Sequence, residues 1–292
     1  MIIIKENDTG FIGLFESMAS PCEILVETRD HVLAKKLIHI AANEAWRIER
    51  KFSRYRDDNI LYQIHHACGG PVEIDDELAL LLNFSEKCYQ LTDGMFDITS
   101  GVLRRIWKFD CSDNIPTQKQ IDALRLLIGW GKVSWQQPFI TLPEGMELDL
   151  GGIGKEYAVD RAAVLISQVS DLPALINFGG DLYATKPPNS RESWQVGIES
   201  IGGLNKTGII QVKSGGIATS GDARRYLERD GIRYSHVLNP KTGWPVQGAP
   251  KSVTVASPRC TDAGFLSTTA MLNGVAAKSF LEAQGVPYWI QN

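Results

Sequence analysis

Leu148-Asp149-Leu150-Gly151-Gly152-Ile153-Gly154-Lys155-Glu156-Tyr157-Ala158-Val159-Asp160 carries the clearest structural instruction in the chain. It predicts a short apolar strand running into a glycine cluster. A helix follows at once, because Tyr157, Val159, Ala162, Ala163 and Ile166 recur near helical spacing. Glycine lets the backbone come close to a ligand, and a helix N-terminus offers free N–H groups to an anion. The acid Asp149 stands just before the turn. Two readings stay open: a cradle for a phosphate-bearing ligand, or a tight strand-to-helix turn that holds nothing.

Upstream, Phe11 to Ser17 and Cys22 to Thr28 read as strands joined by a turn at Met18-Ala19-Ser20-Pro21. Asp30 is the expected N-cap of a long helix to about Lys51, with Leu33, Leu37, Ile40, Ala41, Ala45 and Ile48 on one face. A polar loop covers Ser53 to Asn59. Helices are expected over Asp75–Leu91, Ile98–Lys108 and, capped by Thr117, over Gln118–Ile128. Strands are expected between Trp130 and Leu150. The helix after the glycine cluster reaches about Val169. Beyond Pro173 the pattern turns mostly to strands, at Ala174–Asn177, Leu182–Thr185, Trp194–Ile198, Gly208–Lys213, Gly216–Ser220, Tyr234–Leu238 and Ser252–Ala256. Helices from about Asp262 to Leu272 and from Ala276 to Gln284 close the chain. Helices and strands mixed early, then a run of strands, predict an α+β fold. With no repeat and no linker, one unit over residues 1–292 is expected.

The 292 residues, 43% hydrophobic and 22% charged, describe an ordinary globular protein. The net charge of −4 and the lack of a basic block argue against nucleic acid as a partner. No window approaches a membrane span. The apolar run before Lys5, Ile2-Ile3-Ile4, is three residues, with no basic residue before it, so the start does not read as a signal peptide. The cytoplasm is the expected compartment as the chain stands, and the periplasm if a leader has been removed. The five cysteines are scattered and form no CxxC pair, which favours free thiols over a zinc ribbon or a full disulfide framework.

Four further clusters look like site material. Asn177-Phe178-Gly179-Gly180-Asp181 ends a second strand in paired glycines and an acid. Ala218-Thr219-Ser220-Gly221-Asp222-Ala223-Arg224-Arg225 joins small hydroxyls, a glycine and a basic pair, a set suited to surround a phosphate. Ser235-His236-Val237-Leu238-Asn239-Pro240-Lys241-Thr242-Gly243 places a histidine before a turn. It also reads as ordinary turn chemistry. Cys260-Thr261-Asp262-Ala263-Gly264-Phe265-Leu266-Ser267-Thr268-Thr269 offers a carboxylate and hydroxyls to a hard cation such as Mg²⁺, with Asp262 as a helix cap the plainer alternative. His31 and His39 fall on the first long helix. His65 and His66 follow a polar loop and carry no further signal. No cluster matches GxxxxGK[ST] or GxGxxG.

Taken in order, these segments resemble the ApbE family of FAD:protein FMN transferases. The landmarks are Met18, Phe52-Ser53-Arg54-Tyr55, Thr92-Asp93-Gly94-Met95-Phe96-Asp97-Ile98-Thr99, the glycine cluster through Lys155, Asn177 to Asp181, Thr219 to Asp222, Ser235-His236 with Asn239 to Gly243, and Thr261-Asp262-Ala263. The resemblance implies an α+β unit related to the T-fold, with mixed or antiparallel sheets and flanking helices. It implies Mg²⁺-dependent transfer of FMN from FAD to a Thr or Ser hydroxyl of a partner flavoprotein, with release of AMP. Two alternatives are an FAD pyrophosphatase that uses water, and a non-catalytic FAD carrier.

Carried onto this chain, Met18, Tyr55, Phe96 and Asp97 would line the FAD pocket. Asp149 and Lys155 would flank the FAD, and Gly179, Gly180, Thr219, Ser220 and Gly221 would add to the cofactor site. The Gly152 carbonyl, Asp262 and Thr268 would hold the metal, and His236 would be the base. Some positions depart from the family pattern. Glu156 stands where glycine is common, Asn239 where aspartate is common, and Asn59 where serine is common. The family's metal motif places a threonine four residues after its aspartate. Here Leu266 has that place after Asp262, whereas aligning from Gly274 selects Thr268.

Overall fold

The computed structural model describes residues 1–110, 112–198, 208–221 and 226–292. Three strands open the chain: β1 (Ile3–Glu6), β2 (Phe11–Ser17) and β3 (Ser20–Val26). Helices α1 (His31–Phe52) and α2 (Ile60–His65), strand β4 (Pro71–Glu73) and helix α3 (Asp76–Leu91) follow. After a 3₁₀ stretch at Ile98–Arg105 come α4 (Gln118–Arg125), β5 (Ser134–Gln136), β6 (Phe139–Thr141) and α5 (Gly154–Val169). The second half holds β7 (Ala174–Phe178), β8 (Asp181–Ala184), β9 (Trp194–Gly197), β10 (Ile209–Val212) and β11 (Gly215–Gly221). It continues with β12 (Tyr226–Arg229), β13 (Ile232–Ser235), β14 (Ser252–Ser257), α6 (Cys260–Leu272), α7 (Ala277–Gln284) and β15 (Tyr288–Gln291).

Eight strands form one antiparallel sheet in the order β1-β2-β3-β7-β8-β11-β14-β15. Helices α1, α5 and α6 lie side by side across one face, over β2–β3, β7–β8 and β11–β14 respectively. The period of two along each strand divides the apolar side chains. Ile176, Phe178, Ala218, Val253 and Val255 turn towards the helices. Leu175, Leu182 and Ile217 turn the other way and pack under the β9–β10 ribbon, against Trp194, Ile210 and Val212. A third cluster gathers around Trp107, with Leu103, Ile121 and Leu227 beneath the β12–β13 hairpin. Among the described residues no helix is long and apolar enough to cross a membrane, and the described cysteines are free thiols.

Caps explain most helix starts. Asp30 accepts from the N–H groups of Val32 and Leu33 at 2.9 and 3.0 Å, and Asp75 accepts from Leu78 at 3.0 Å. Thr117 and Gln120 form a reciprocal capping box on α4, which ends three residues earlier than its apolar pattern suggests. The expected strand at Leu148–Leu150 is absent. That segment is spent on other partners: the Leu148 N–H donates to His65 Nε2 at 2.8 Å, and the Asp149 N–H to the Ile98 carbonyl at 2.8 Å. The expected strand over Tyr234–Leu238 lies earlier, at β13, because its pairing with β12 ends at Ser235 opposite Tyr226. The helix expected to reach Lys108 is a 3₁₀ stretch that stops at Arg105. The Met18-Ala19 turn is tighter than the four residues expected, with both residues in the left-handed region. Cys111 and the Asp222–Arg225 part of the hydroxyl cluster lie outside the described residues.

Two contacts fix how the helices sit. A Cβ at Gly216 of β11 would stand 2.2 Å from the Cys260 backbone nitrogen, so α6 meets the sheet backbone to backbone. Glu77 on α3 accepts from Arg47 and Lys51 of α1 at 2.7 and 2.6 Å, and from the Tyr157 hydroxyl of α5 at 3.0 Å. Burial pushes the Glu77 carboxyl up, but these donors outweigh it and hold it at about 2.

Gly216→Ala is expected to lose about 1–3 kcal/mol of stability through overpacking, measured by urea unfolding. Gly197→Ala, where a Cβ meets nothing within 4 Å, should stay within about 0.5 kcal/mol of the parent. The Glu77 contribution has the sign of a depressed carboxyl. It is complete above the unfolded value near 4.5 and is lost as pH falls through about 2. Glu77→Gln should therefore destabilise the protein at neutral pH, and the gap from the parent should close on acidification. A gap that is constant with pH would show that Glu77 contributes by packing alone.

Candidate active site

The N-terminal turn of α5 is the junction of the site. Its N-cap, Ile153, gives no side-chain cap. Lys155 leaves this turn towards the β7–β8 turn, where Nζ meets Asp181 Oδ2 at 2.8 Å and the Gly179 carbonyl at 3.3 Å. Asp181 is 2% exposed, and its other oxygen accepts from the Thr219 N–H of β11 at 3.2 Å. Burial works against the Lys155 ammonium, but the Asp181 carboxylate outweighs it and raises the Lys155 pKa. The β2–β3 turn that carries Met18 closes on the same place: the Gly179 N–H donates to the Pro21 carbonyl at 2.9 Å. A Cβ on Gly179, whose φ is +62°, would strike Ser20 at 2.5 Å. Met18, Lys155, Gly179, Gly180, Asp181 and Thr219 thus belong to one neighbourhood.

A second group lies between α5 and α6. The Ser220 hydroxyl pairs with those of Thr268 at 2.7 Å and Ser267 at 3.1 Å. Glu156 points from α5 into α6, where a Cβ on Gly264 would stand 2.6–2.8 Å from its Cγ, Oε1 and Cδ. Glu156 is 7% exposed, and its Oε2 is buried with no hydrogen-bond partner. Burial, then the Asp181 carboxylate, push its pKa well above the usual carboxylate range. Gly152, one turn before Glu156, sits under the Phe96 ring, which itself packs edge-on against Phe265 of α6.

The remaining expected residues are placed elsewhere. Asp149 forms ion pairs with Arg54 at 3.0 Å and Arg104 at 3.2 Å, and accepts from the Gly151 N–H at 2.8 Å. Burial raises its carboxyl, but the two guanidiniums outweigh this and hold it below the ordinary value. Tyr55 is 82% exposed, with the Arg54 guanidinium over its ring. Asp97 is buried, and its carboxylate is occupied by Thr99 and the Trp130 N–H. His236 is half-buried at the end of β13, edge-on to Phe109 in the Trp107 cluster. Asn239 accepts from the N–H groups of Lys241 and Thr242, the turn chemistry that its sequence predicts. Lys241 reaches Asp93 at 2.7 Å, joining this turn to the Thr92–Asp97 turn.

Asp262 does not share a face of α6 with Thr268, six residues on, and Arg259 holds its carboxylate through two hydrogen bonds of 2.8 Å. Nor does it cap the helix. Asp160 of α5 does, accepting from the N–H groups of Cys260 and Thr261 at 2.8 and 2.9 Å and from the Thr261 hydroxyl at 2.6 Å. Sequence reading missed Asp160, Asp181 as the lysine's partner, and Glu156. The available signal for Glu156 was an acid on the stripe of α5 that also carries Val159 and Ala163.

A family model described as the ApbE family matches residues 18–290. The chain belongs to the ApbE family. An FAD:protein FMN transferase of Salmonella typhimurium is 31% identical over 234 residues, covering 76% of this chain and 67% of that protein. One of Vibrio cholerae is 29% identical over 235 residues, covering 78% and 70%. The crystal structure of an ApbE protein from Thermotoga maritima superposes with a TM-score of 0.85 at 27% identity, over 99% of this chain and 94% of that one. The apo flavinyl transferase ApbE of Pseudomonas stutzeri gives 0.85 at 24% identity, over 99% and 91%.

Among the described residues no three His, Cys, Asp or Glu side chains gather as a metal centre. The available donors are the Glu156 carboxylate, the hydroxyls of Ser220 and Thr268 and backbone carbonyls. This is an oxygen set of the kind Mg²⁺ takes, and the orphaned Glu156 oxygen lacks the partner that a cation would supply. Asp160→Ala is expected to cost about 0.5–2 kcal/mol through loss of the α6 cap. A loss in thermal unfolding no larger than that of Asp262→Ala would assign the cap elsewhere.

Proposed function

We infer that this ApbE-family chain transfers the FMN half of FAD to a threonine or serine hydroxyl of a partner flavoprotein and releases AMP. The observation that carries this reading is the junction of α5 with the β7–β8 turn and β11. There the Lys155–Asp181 pair, the glycines Gly179 and Gly180 and the Thr219 backbone N–H gather at the uncapped α5 N-terminus, with the Ser220–Thr268 hydroxyl pair between β11 and the neighbouring α6. Such an arrangement suits a pyrophosphate, because a cation, small residues and free N–H groups meet at one point. Relatives that carry the name FAD:protein FMN transferase along most of the chain support the same reading.

In the reaction the acceptor hydroxyl oxygen bonds to the FMN phosphorus, and the bond from that phosphorus to the bridging oxygen breaks. AMP leaves with the bridging oxygen. His236 takes the hydroxyl proton, a task suited to an imidazole near neutral pH. Lys155 balances phosphate charge, and its partner Asp181 fixes where the ammonium stands. Met18, Tyr55, Phe96 and Asp97 are assigned to the walls around the FAD, with Asp97 acting through the turn that it braces. Asp149, locked by Arg54 and Arg104, holds the glycine turn from below. Thr268 and the Gly152 carbonyl are assigned to Mg²⁺, which when bound neutralises pyrophosphate charge.

The test incubates the purified protein with FAD, a flavoprotein fragment bearing the acceptor hydroxyl, and Mg²⁺ or EDTA. Mass spectrometry should find the FMN increment on the fragment and an equal yield of AMP, both abolished by EDTA. AMP without label would instead favour the pyrophosphatase. His236→Ala should slow turnover by roughly 10²–10⁴-fold while leaving FAD affinity near that of the parent. Unchanged turnover would remove His236 from the chemistry.

A further inference from the structure

We propose that the carboxylate ligand of the metal site in this chain is Glu156, delivered from α5, and that Gly264 of α6 is the vacated position that admits it. The inference rests on the magnesium reading above. It begins with a buried oxygen that has nothing to bond to. Glu156 is 7% exposed, and Oε2 has no partner among the described residues. A buried carboxylate oxygen without a donor costs free energy unless a cation or a proton compensates it.

The surroundings select a cation. The Glu156 carboxyl occupies the space where a Gly264 side chain would begin, and Thr268 lies one helical turn further along the same face of α6. Helical side chains lean towards the helix N-terminus, so the Thr268 hydroxyl leans towards Gly264 and Glu156. Ser220 Oγ stands 2.7 Å from Thr268 Oγ1 and 3.1 Å from Ser267 Oγ. A carboxylate and clustered hydroxyls beside the α5 turn make a hard-oxygen site. Among the described residues, the cation at this junction is Lys155, and it is already bound to Asp181 and the Gly179 carbonyl.

The spacing in the sequence points the same way. Counting four residues back from Thr268 gives Gly264, not Asp262, and Arg259 already holds Asp262. Glu156 in turn stands where glycine is common in the family. The two departures therefore face each other in space: α5 has gained a carboxylate where α6 has none.

Mn²⁺ serves as the probe, bound to the purified protein in the presence of FAD and counted by loss of the free-ion electron paramagnetic resonance signal. Glu156→Gln should weaken Mn²⁺ binding at least about tenfold, and Asp262→Asn should leave it within about twofold. The paired exchange Glu156→Gly with Gly264→Asp should restore most of the loss, because the new Asp enters the space that Glu156 leaves. Parent-like Mn²⁺ affinity in a folded Glu156→Gln protein, or a loss in Asp262→Asn as large, would overturn the assignment. If Glu156→Gln fails to fold, the paired exchange decides: parent-like binding supports the assignment, and absent binding in the folded protein rejects it. A parent protein that binds FAD but no Mn²⁺ would instead bring down the magnesium reading itself.

Discussion

The Asp160 carboxylate ties the start of α6 to the middle of α5 through three hydrogen bonds of 2.6–2.9 Å. Much of the site follows from this register. With Cys260 and Thr261 held there, Gly264 comes one turn later and faces Glu156, one turn earlier on α5. Thr268 then falls opposite Ser220 of β11. The sheet sets the remaining coordinate, because Gly216 lets the Cys260 backbone press onto β11 with no side chain between them. A helix pinned at its first turn from two directions has little freedom to slide. Its small residues at the contact, Ala263, Gly264 and Ala270, are what so close an approach demands.

Helix α5 sends polar side chains to several different elements. Lys155 binds Asp181 of β8, Tyr157 donates to Glu77 of α3, Asp160 caps α6, and Arg161 reaches Glu44 of α1 at 3.3 Å. Each of these groups is satisfied by a partner. Glu156 differs, being the deepest of the helix's polar side chains yet lacking a donor at Oε2. A buried ion pair stabilises little once desolvation is counted, and a buried unpaired carboxylate destabilises. Glu156 therefore has to take up either a proton or a cation, and its raised carboxyl marks the point where a cation would act. Strain confined to one group within an otherwise satisfied network is a common mark of a functional site.

What could be read beforehand divides along the same physical line. Local signals worked. Asp30, Asp75 and Thr117 announced helices because a cap needs only the next three residues. The strands of β7, β11 and β14 were legible as short apolar runs bounded by glycine and proline. Elements defined by remote partners were not. The edge strands β1 and β15 draw their identity from pairing with β2 and β14. Leu148–Leu150 has strand-like composition, yet His65 and Ile98 consume its hydrogen bonds. Asn59, met as part of a polar loop, caps α2 by accepting from the Tyr62 N–H. The candidate site was legible in part as motifs, since Lys155 meets the Gly179 turn and Ser220 pairs with Thr268. The carboxylates were not, because Asp160, Asp181 and Asp262 look alike in sequence and differ only in what faces them.

The choice of helix for the carboxylate has a structural consequence. An aspartate on α6 would need space between α5 and α6, which a glycine on α5 supplies. A glutamate on α5 reverses the requirement and places the small residue on α6. Either arrangement fills the gap with one carboxyl group and one missing side chain, so the packing volume is nearly conserved. The longer glutamate stem also reaches across from a helix whose register Asp160 already fixes. Each substitution alone would be costly: two side chains would collide, or two glycines would leave a void and no ligand. The pair is therefore best understood as one structural unit. Glu156 has to be judged together with Gly264, and neither position can be interpreted from its own residue alone.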